Sequence, residues 1–390
     1  MTGANGAFGV YDFGLGPDDE ARAARLQAEC VVVDMLFQGP CGYRSFDDGM
    51  VRAVEARWEA DRDPVRAWNF AVELPARLAA RGELADFEAC WRESGITGAT
   101  RERDLLSLED VIGGFAVAQL QFDLLPWLDK ALRADDVRTA KAAGRLAGWV
   151  NSQDTLAFGR DLGLVEWAWE LGLRMLQLTY NSQNFVGSGC TERVDGGVTS
   201  FGKSLIAKLN ELGVVIDTSH CGRQTTLDAC TLSEAPVIAS HTSAAALYEV
   251  DRAKSDEELE ALVATGGVIG VYAVPFFLSP DQDASIEAML DHVDYLVRLV
   301  GAEHVGIGTD WPLQMPKWAL ETIVSPWAAT AGFRPEHRLD PARNLVGFDD
   351  YRDFPNITRG LVARGYSDED VAGILGGNFL RVWDKIAGSA

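Results

Sequence analysis

The sequence predicts a closed (β/α)8 TIM barrel, and three observations point there. Short, nearly continuous apolar runs of strand length recur eight times in the 390 residues, at 31–37, 115–122, 146–153, 175–180, 214–220, 236–241, 267–274 and 304–310. Runs that are apolar on nearly every residue suit strands buried on both faces, as in a parallel sheet covered by helices. Helix-like segments separate most of them, the alternation of a parallel α/β fold. Finally, the fifth and sixth runs flank a helix-length segment, and each ends in Ser-His: Ser219-His220 and Ser240-His241. A βαβ unit holds its strands parallel and brings both carboxyl ends to one side of the sheet, where such folds keep their chemistry.

The elements follow in order. The run at 31–37 opens the barrel. Residues 41–110 are too many for an ordinary loop, and apolar residues at three- and four-residue intervals over 45–60 and 64–81 mark a helical insertion. The next three strands are read at 115–122, 146–153 and 175–180. The two Ser-His strands, 267–274 and 304–310 complete the eight. The stretch 311–353, rich in Trp, Pro and Gly, is expected to lie over the barrel mouth. Two C-terminal helices close the chain. Pro355 occupies a first-turn position, and Ser367 with Asp370 resembles a capping box ahead of 371–375. No linker composition or repeat interrupts the chain, so residues 1–390 read as one domain.

Bulk properties exclude several classes. A net charge of -23 repels nucleic acid and anionic membranes. The first residues lack a basic and an apolar leader region, and no run reaches the eighteen apolar residues of a membrane span. Six cysteines without a Cys-x-x-Cys pair are too dilute for a disulfide scaffold. The expectation is a cytoplasmic protein with free thiols and a small molecule as its partner.

Strand alternation tests the site. Val214, Ile216, Thr218 and His220 share one face of their run; Val237, Ala239 and His241 share one in the next; Gly306, Gly308 and Asp310 share one in the last. With those faces inward, His220, His241 and Asp310 converge at the carboxyl-terminal rim. Two neutral imidazoles and a carboxylate suit Zn²⁺ or a similar divalent ion. A histidine that caps its strand and bonds a loop carbonyl is the plainer reading of either His alone; the pair together with Asp310 favours a site. Cys221 points away from its neighbour His220 and reads as a structural thiol. The Gly-rich stretch 184–192 reads as a rim loop.

Longer stretches carry a resemblance. GVTSFGKSLIAKLNELGVVIDTSH, APVIASHTSA, DRAKSDEELEAL, HVGIGTDW and DFPNITRGLVARGYSDEDVAGILGGNFLRVW occur in this order between Arg145 and Lys385. They closely resemble the membrane (renal) dipeptidase family, a branch of the metal-dependent amidohydrolase superfamily with a (β/α)8 barrel. The resemblance implies that His220 and His241 match two strand-end ligands of one metal. It implies that Asp310 handles the proton of the attacking water and that Arg252 binds a substrate carboxylate. A homodimer is usual among such proteins.

The departures matter equally. The family opens with Asp-x-His-x-Asp, whose His and second Asp bind the other metal; here Asp34 is followed by Leu36 and Gln38 at those places. The bridging Glu of the family falls on Gln153, and its substrate-contacting His falls on Tyr180. Two metal ions bring about four positive charges into a poorly solvated pocket and need carboxylates to offset them. A binuclear centre is therefore not expected. His220, His241 and Asp310, with Gln153 as a weak neutral fourth, suffice for one ion, zinc by ligand type; a metal-free acid–base cluster is the alternative. Tyr180 keeps a donor for a developing oxyanion. Phe37, Trp149, Tyr272 and Trp311 near strand ends suggest an aromatic or bulky apolar substrate.

The expected activity is thus that of a dipeptidase-like hydrolase acting on an amide or related bond of a small carboxylate. Its catalytic groups are Asp310, His220, His241 and Tyr180, and its substrate contacts Arg252, Gln153, Tyr180 and Trp311. A metal-independent lyase or isomerase, or a catalytically silent binding protein on the same scaffold, are the alternatives.

Overall fold

The computed structural model describes residues 8–39, 46–103, 107–313 and 317–388. Eight parallel strands form the ring in the order β1 (Val33–Asp34), β2 (Gly98–Arg103), β4 (Leu146–Ser152), β5 (Leu173–Gln177), β6 (Val215–Asp217), β7 (Val237–Thr242), β8 (Ile269–Val271) and β9 (Val305–Ile307). The amide of Met35 donates to the Ile307 carbonyl at 3.0 Å and links the last strand to the first. This is a (β/α)8 barrel, with helices on the outside. A ninth strand, β3 (Leu128–Lys130), pairs with the lower half of β4, while β5 takes the upper half. Because β2 runs along the whole other edge of β4, β3 and β5 share one edge in sequence.

Six ring strands fall where the apolar runs at 146–153, 175–180, 214–220, 236–241, 267–274 and 304–310 put them, and the run at 31–37 contains β1. The run at 115–122 is not a strand. It lies within a helix, Leu108–Leu124, whose buried residues Val111, Gly114, Phe115, Ala118 and Gln121 recur at three and four and whose amino end is capped by Ser107. The true second strand, GATRER at Gly98–Arg103, is polar in composition and carries no apolar run. Its burial comes from neighbours: Thr100 is inaccessible, and the Arg101 guanidinium lies over the Trp91 ring at 5.2 Å.

Between β1 and β2 the described part of 41–110 forms helices α1 to α3 at Asp48–Asp61, Pro64–Ala80 and Asp86–Ser94. Asp47 and Asp63 cap the first two, accepting from Met50, Val65 and Arg66 amides. Residues 41–45 and 104–106 of that stretch lie outside the described residues, as do 314–316 of the 311–353 stretch. The latter contains a π-helical turn at Leu320–Val324 followed by a helix at Ser325–Thr330, and its chain packs on α2. The C-terminal helix Asn378–Ala387 buries Phe379 and Trp383 against Trp149, far from the barrel mouth. Cys30, Cys90, Cys190, Cys221 and Cys230 are free thiols; Cys41 lies outside the described residues. No helix among the described residues is long and apolar enough to cross a membrane.

Candidate active site

The site is built around one buried carboxylate, Asp217, the last residue of β6. Its Oδ1 accepts the Ser219 amide at 3.0 Å, an Asx turn that ends the strand two residues before His220. It also accepts the Ser219 hydroxyl at 2.6 Å and the Ser240 amide at 2.9 Å, while Oδ2 accepts the Ser240 hydroxyl. Both serines are inaccessible to solvent. The repeated Ser-His thus has a physical reason: each serine ties its histidine's backbone to the same carboxylate.

These bonds fix the imidazole protonation. The Ser240 hydroxyl spends its proton on Asp217, so its contact with His241 Nδ1 at 2.8 Å makes Nδ1–H the donor. His220 Nδ1 lies 2.8 Å from the Asn181 carbonyl oxygen, whose amide nitrogen donates to Ala331 O; Nδ1–H is again the donor. Both Nε2 atoms therefore carry a lone pair, and both are buried without a hydrogen-bond partner. The rings are 5.0 Å apart. Burial holds both well below the usual imidazole range, and the Arg252 charge adds to the effect, so both rings are neutral.

Asp310 follows the last strand, β9. Alternation holds through β9 only to Ile307; Asp310 itself has φ 52°, and its side chain lines the cavity at the mouth, where Gln38 Nε2 donates to Oδ1 at 3.0 Å. Among the described residues no group of three or more His, Cys, Asp or Glu is placed to hold a metal ion. Burial pushes the Asp310 carboxyl up to about 6, against the Gln38 bond and the Arg252 charge.

Arg252 lies behind the two Ser-His turns. It is 1% exposed, its guanidinium donates to the carbonyls of Ser219 and His241, and it lies 5.8 Å from the Tyr272 ring. It braces the two Ser-His turns and does not line the cavity.

The cavity above encloses about 750 Å³, part of it open to solvent. Gln38, Gln153, Tyr180, Asp310 and Trp311 line it. Tyr180 forms the boundary between cavity and imidazoles: its ring stacks on His220 at 4.0 Å. The remaining wall was not foreseen. Trp68 on α2 stacks on Trp327 at 4.9 Å, Phe277 on Phe333 at 6.2 Å, and Phe276 meets Trp311 edge-on. Of the aromatics expected near the substrate, Phe37, Trp149 and Tyr272 are buried in the core instead, because burial and strand-end position alone do not say which way a ring faces. Within the loop at 184–192, Val186 and Ser188 are buried, Phe185 is exposed, and a side chain at Gly189 would strike the Asn181 carbonyl at 2.1 Å.

With the geometry described, comparison with known proteins places the chain. The membrane dipeptidase family (peptidase family M19) matches residues 107–322 and 340–390. The chain is 26% identical to dipeptidase tcpJ of Claviceps purpurea over 322 residues, 82% of this chain and 65% of that protein. It is 28% identical to dipeptidase verJ of Clonostachys rogersoniana over 263 residues, 66% and 60% respectively. The chain thus spans less than two thirds of these relatives' length. An amidohydrolase from Pseudomonas aeruginosa superposes with TM-score 0.73 at 26% identity, covering 94% of this chain and 99% of that one. A metallo peptidase from Rhodobacter sphaeroides, liganded with a phosphinate mimic of the dipeptide L-Ala-D-Ala, shares the fold with TM-score 0.67 at 19% identity, covering 91% and 99%. The protein belongs to the membrane dipeptidase family.

Proposed function

We propose that the chain is a dipeptidase-like hydrolase that cleaves an amide or related bond of a small substrate, with at most one divalent metal ion at its centre. The observation that carries this is the pair of neutral imidazoles with inward lone pairs and no protein partner at Nε2. Such donors fit one ion: His220 and His241 would hold it, with water or substrate in the other positions. They do not fit two. Leu36 has no donor atom, and Gln38 and Gln153 bring neutral amides where a second ion needs carboxylates.

When bound, a zinc ion supplies Lewis acidity and a more acidic water. The chain's own groups do the rest. Asp310, ionised at neutral pH but more basic than an ordinary carboxylate, takes the proton of the attacking water. The Tyr180 phenol donates to the developing oxyanion, and Gln153 and Trp311 hold the substrate in the cavity. The carboxylate expected on the substrate rests on Arg252, which is engaged below the floor; the amide-bond reading stands without it.

The test pairs metal analysis with a dipeptide panel. Bound zinc of up to one per chain, and cleavage lost in His241→Ala, are expected. An inert protein, or cleavage indifferent to that substitution, overturns the proposal. A second reading draws on one observation: Asp310, Tyr180 and the two glutamines line the cavity, whereas neither imidazole does. Lyase or isomerase chemistry by Asp310 and Tyr180 needs no metal, and activity that survives exhaustive chelation selects it.

A further inference from the structure

The cavity is divided by chemistry. Gln38, Gln153, Tyr180 and Asp310 bring polar groups to one part of it, and the rest of its described lining is mostly aromatic and aliphatic. The rings there form a chain. Trp68 stacks on Trp327 at 4.9 Å, Trp327 meets Phe333 at 6.2 Å, and Phe333 stacks on Phe277 at 6.2 Å. Phe276 then touches Phe277 at 4.7 Å and Trp311 at 5.3 Å. Polar atoms on this wall are already engaged. Trp311 Nε1 donates to the Arg343 carbonyl and the Asn344 side chain, and the Asn69 amide nitrogen donates to Asp110.

Phe333 joins the two parts. Its ring stands edge-on to Tyr180 at 6.3 Å, so the aromatic wall reaches down to the phenol that covers His220. Phe333 and Trp327 are half-buried, whereas Trp68, Phe276, Phe277 and Trp311 are buried. Ring surface on Phe333 and Trp327 is therefore left for a ligand to cover.

We infer that Phe333 and Trp327 form a side-chain subsite, and that the substrates are dipeptides carrying an aromatic residue. The scissile bond lies at Tyr180 and Asp310, and the aromatic side chain beside it packs on Phe333 and Trp327. Offset or edge-on contact is the arrangement that aromatic pairs prefer. A small side chain leaves this surface wet, and a polar one gives up its water with no hydrogen bond in return. The inference rests on the hydrolase reading for the bond that is cleaved, and adds the side chain next to it.

The experiment compares kcat/KM for Ala-Phe, Phe-Ala, Ala-Ala and Ala-Gln in zinc-supplemented buffer. Calorimetry measures the binding of uncleavable reduced-amide analogues of the same four peptides. Burying a phenylalanine side chain corresponds to roughly 10–150-fold in an equilibrium constant. The better Phe dipeptide is therefore expected to exceed Ala-Ala and Ala-Gln by about tenfold or more, in cleavage and in binding. Phe333→Ala and Trp327→Leu are each expected to shrink that ratio to about threefold or less, with melting curves to show that both variants fold. Cleavage of Ala-Ala as fast as of either Phe dipeptide, or a ratio unmoved by both variants, overturns the inference and leaves the hydrolase reading standing. Selective binding of a Phe analogue without cleavage of any dipeptide sinks the hydrolase reading and leaves the subsite standing. Neither cleavage nor selective binding overturns both.

Discussion

Replacing Ser240 by alanine tests whether the serine behind His241 is there to fix the imidazole. The hydroxyl's contacts include its donation to Asp217 Oδ2, its acceptance of His241 Nδ1–H at 2.8 Å, and a longer contact with the Ser219 hydroxyl at 3.1 Å. Asp217 keeps the Ser219 amide, the Ser219 hydroxyl and the Ser240 amide, so the turn geometry persists. His241 Nδ1–H is left buried without a partner, at a cost of about 1–3 kcal/mol, and the lost bond to a carboxylate adds about 1.5–3 kcal/mol. Ser240→Ala should therefore lower stability by roughly 2.5–6 kcal/mol. It should also free the ring to change tautomer and present Nε2–H to the ligand position. Removing such an orienting partner weakens metal affinity by about 10–100-fold. Competition with a chromogenic chelator reads the zinc affinity, and chemical denaturation reads the stability. A variant that loses stability yet binds zinc as tightly as the parent would refute the tautomer argument, because the serine would then be mere packing.

Further expectations follow from other contacts. Tyr180→Phe keeps the ring on His220 and removes the phenol, so amide turnover should fall about 10²-fold with little change in stability, as steady-state kinetics and melting would show. Leu36→His combined with Gln38→Asp and Gln153→Glu restores the missing donors and charge, so zinc per chain, measured by mass spectrometry, should rise above one. Burial and the neighbouring Asp349 push the Asp353 carboxyl up to about 6. The folded chain therefore holds a proton that the unfolded chain releases near pH 4. The stability this gives is full below that pH and is lost as pH rises through about 6, on the order of 3 kcal/mol. Asp353→Asn should flatten the change in urea midpoint between pH 4 and 7; an equally steep profile in the variant would show that other groups set it.

Strands buried on both faces were mostly legible because continuous apolar runs of strand length suit them, and Ser-His at two such ends marked the imidazole pair. The second strand was not legible: GATRER draws its burial from Arg101 lying on Trp91, a contact between residues distant in structural role. The run at 115–122 misled because Phe115 and Ala118 fit a buried helix face as well as a strand, and only the spacing back to Val111 and Gly114 distinguishes the two. The direction of the Asp310 side chain was not legible, since strand alternation stops where the backbone turns to φ 52°. The role of Asp217 was readable in principle, because an acid two residues before a serine at a strand end is an Asx-turn pattern. Trp68, Trp327 and Phe333 carried no local mark at all; only tertiary packing brings them to one wall.

Trp68 stands on a helix inserted between the first two strands, and Trp327 on the segment after the last. Neither belongs to the barrel, and their rings stack on each other across its opening. What the mouth admits is thus decided by two appendages that meet like the jaws of a vice, while the proton chemistry stays with the staves beneath. Exchanging either jaw would retune the choice of guest and leave the hearth of the reaction undisturbed, so variation in this protein's relatives should concentrate there first.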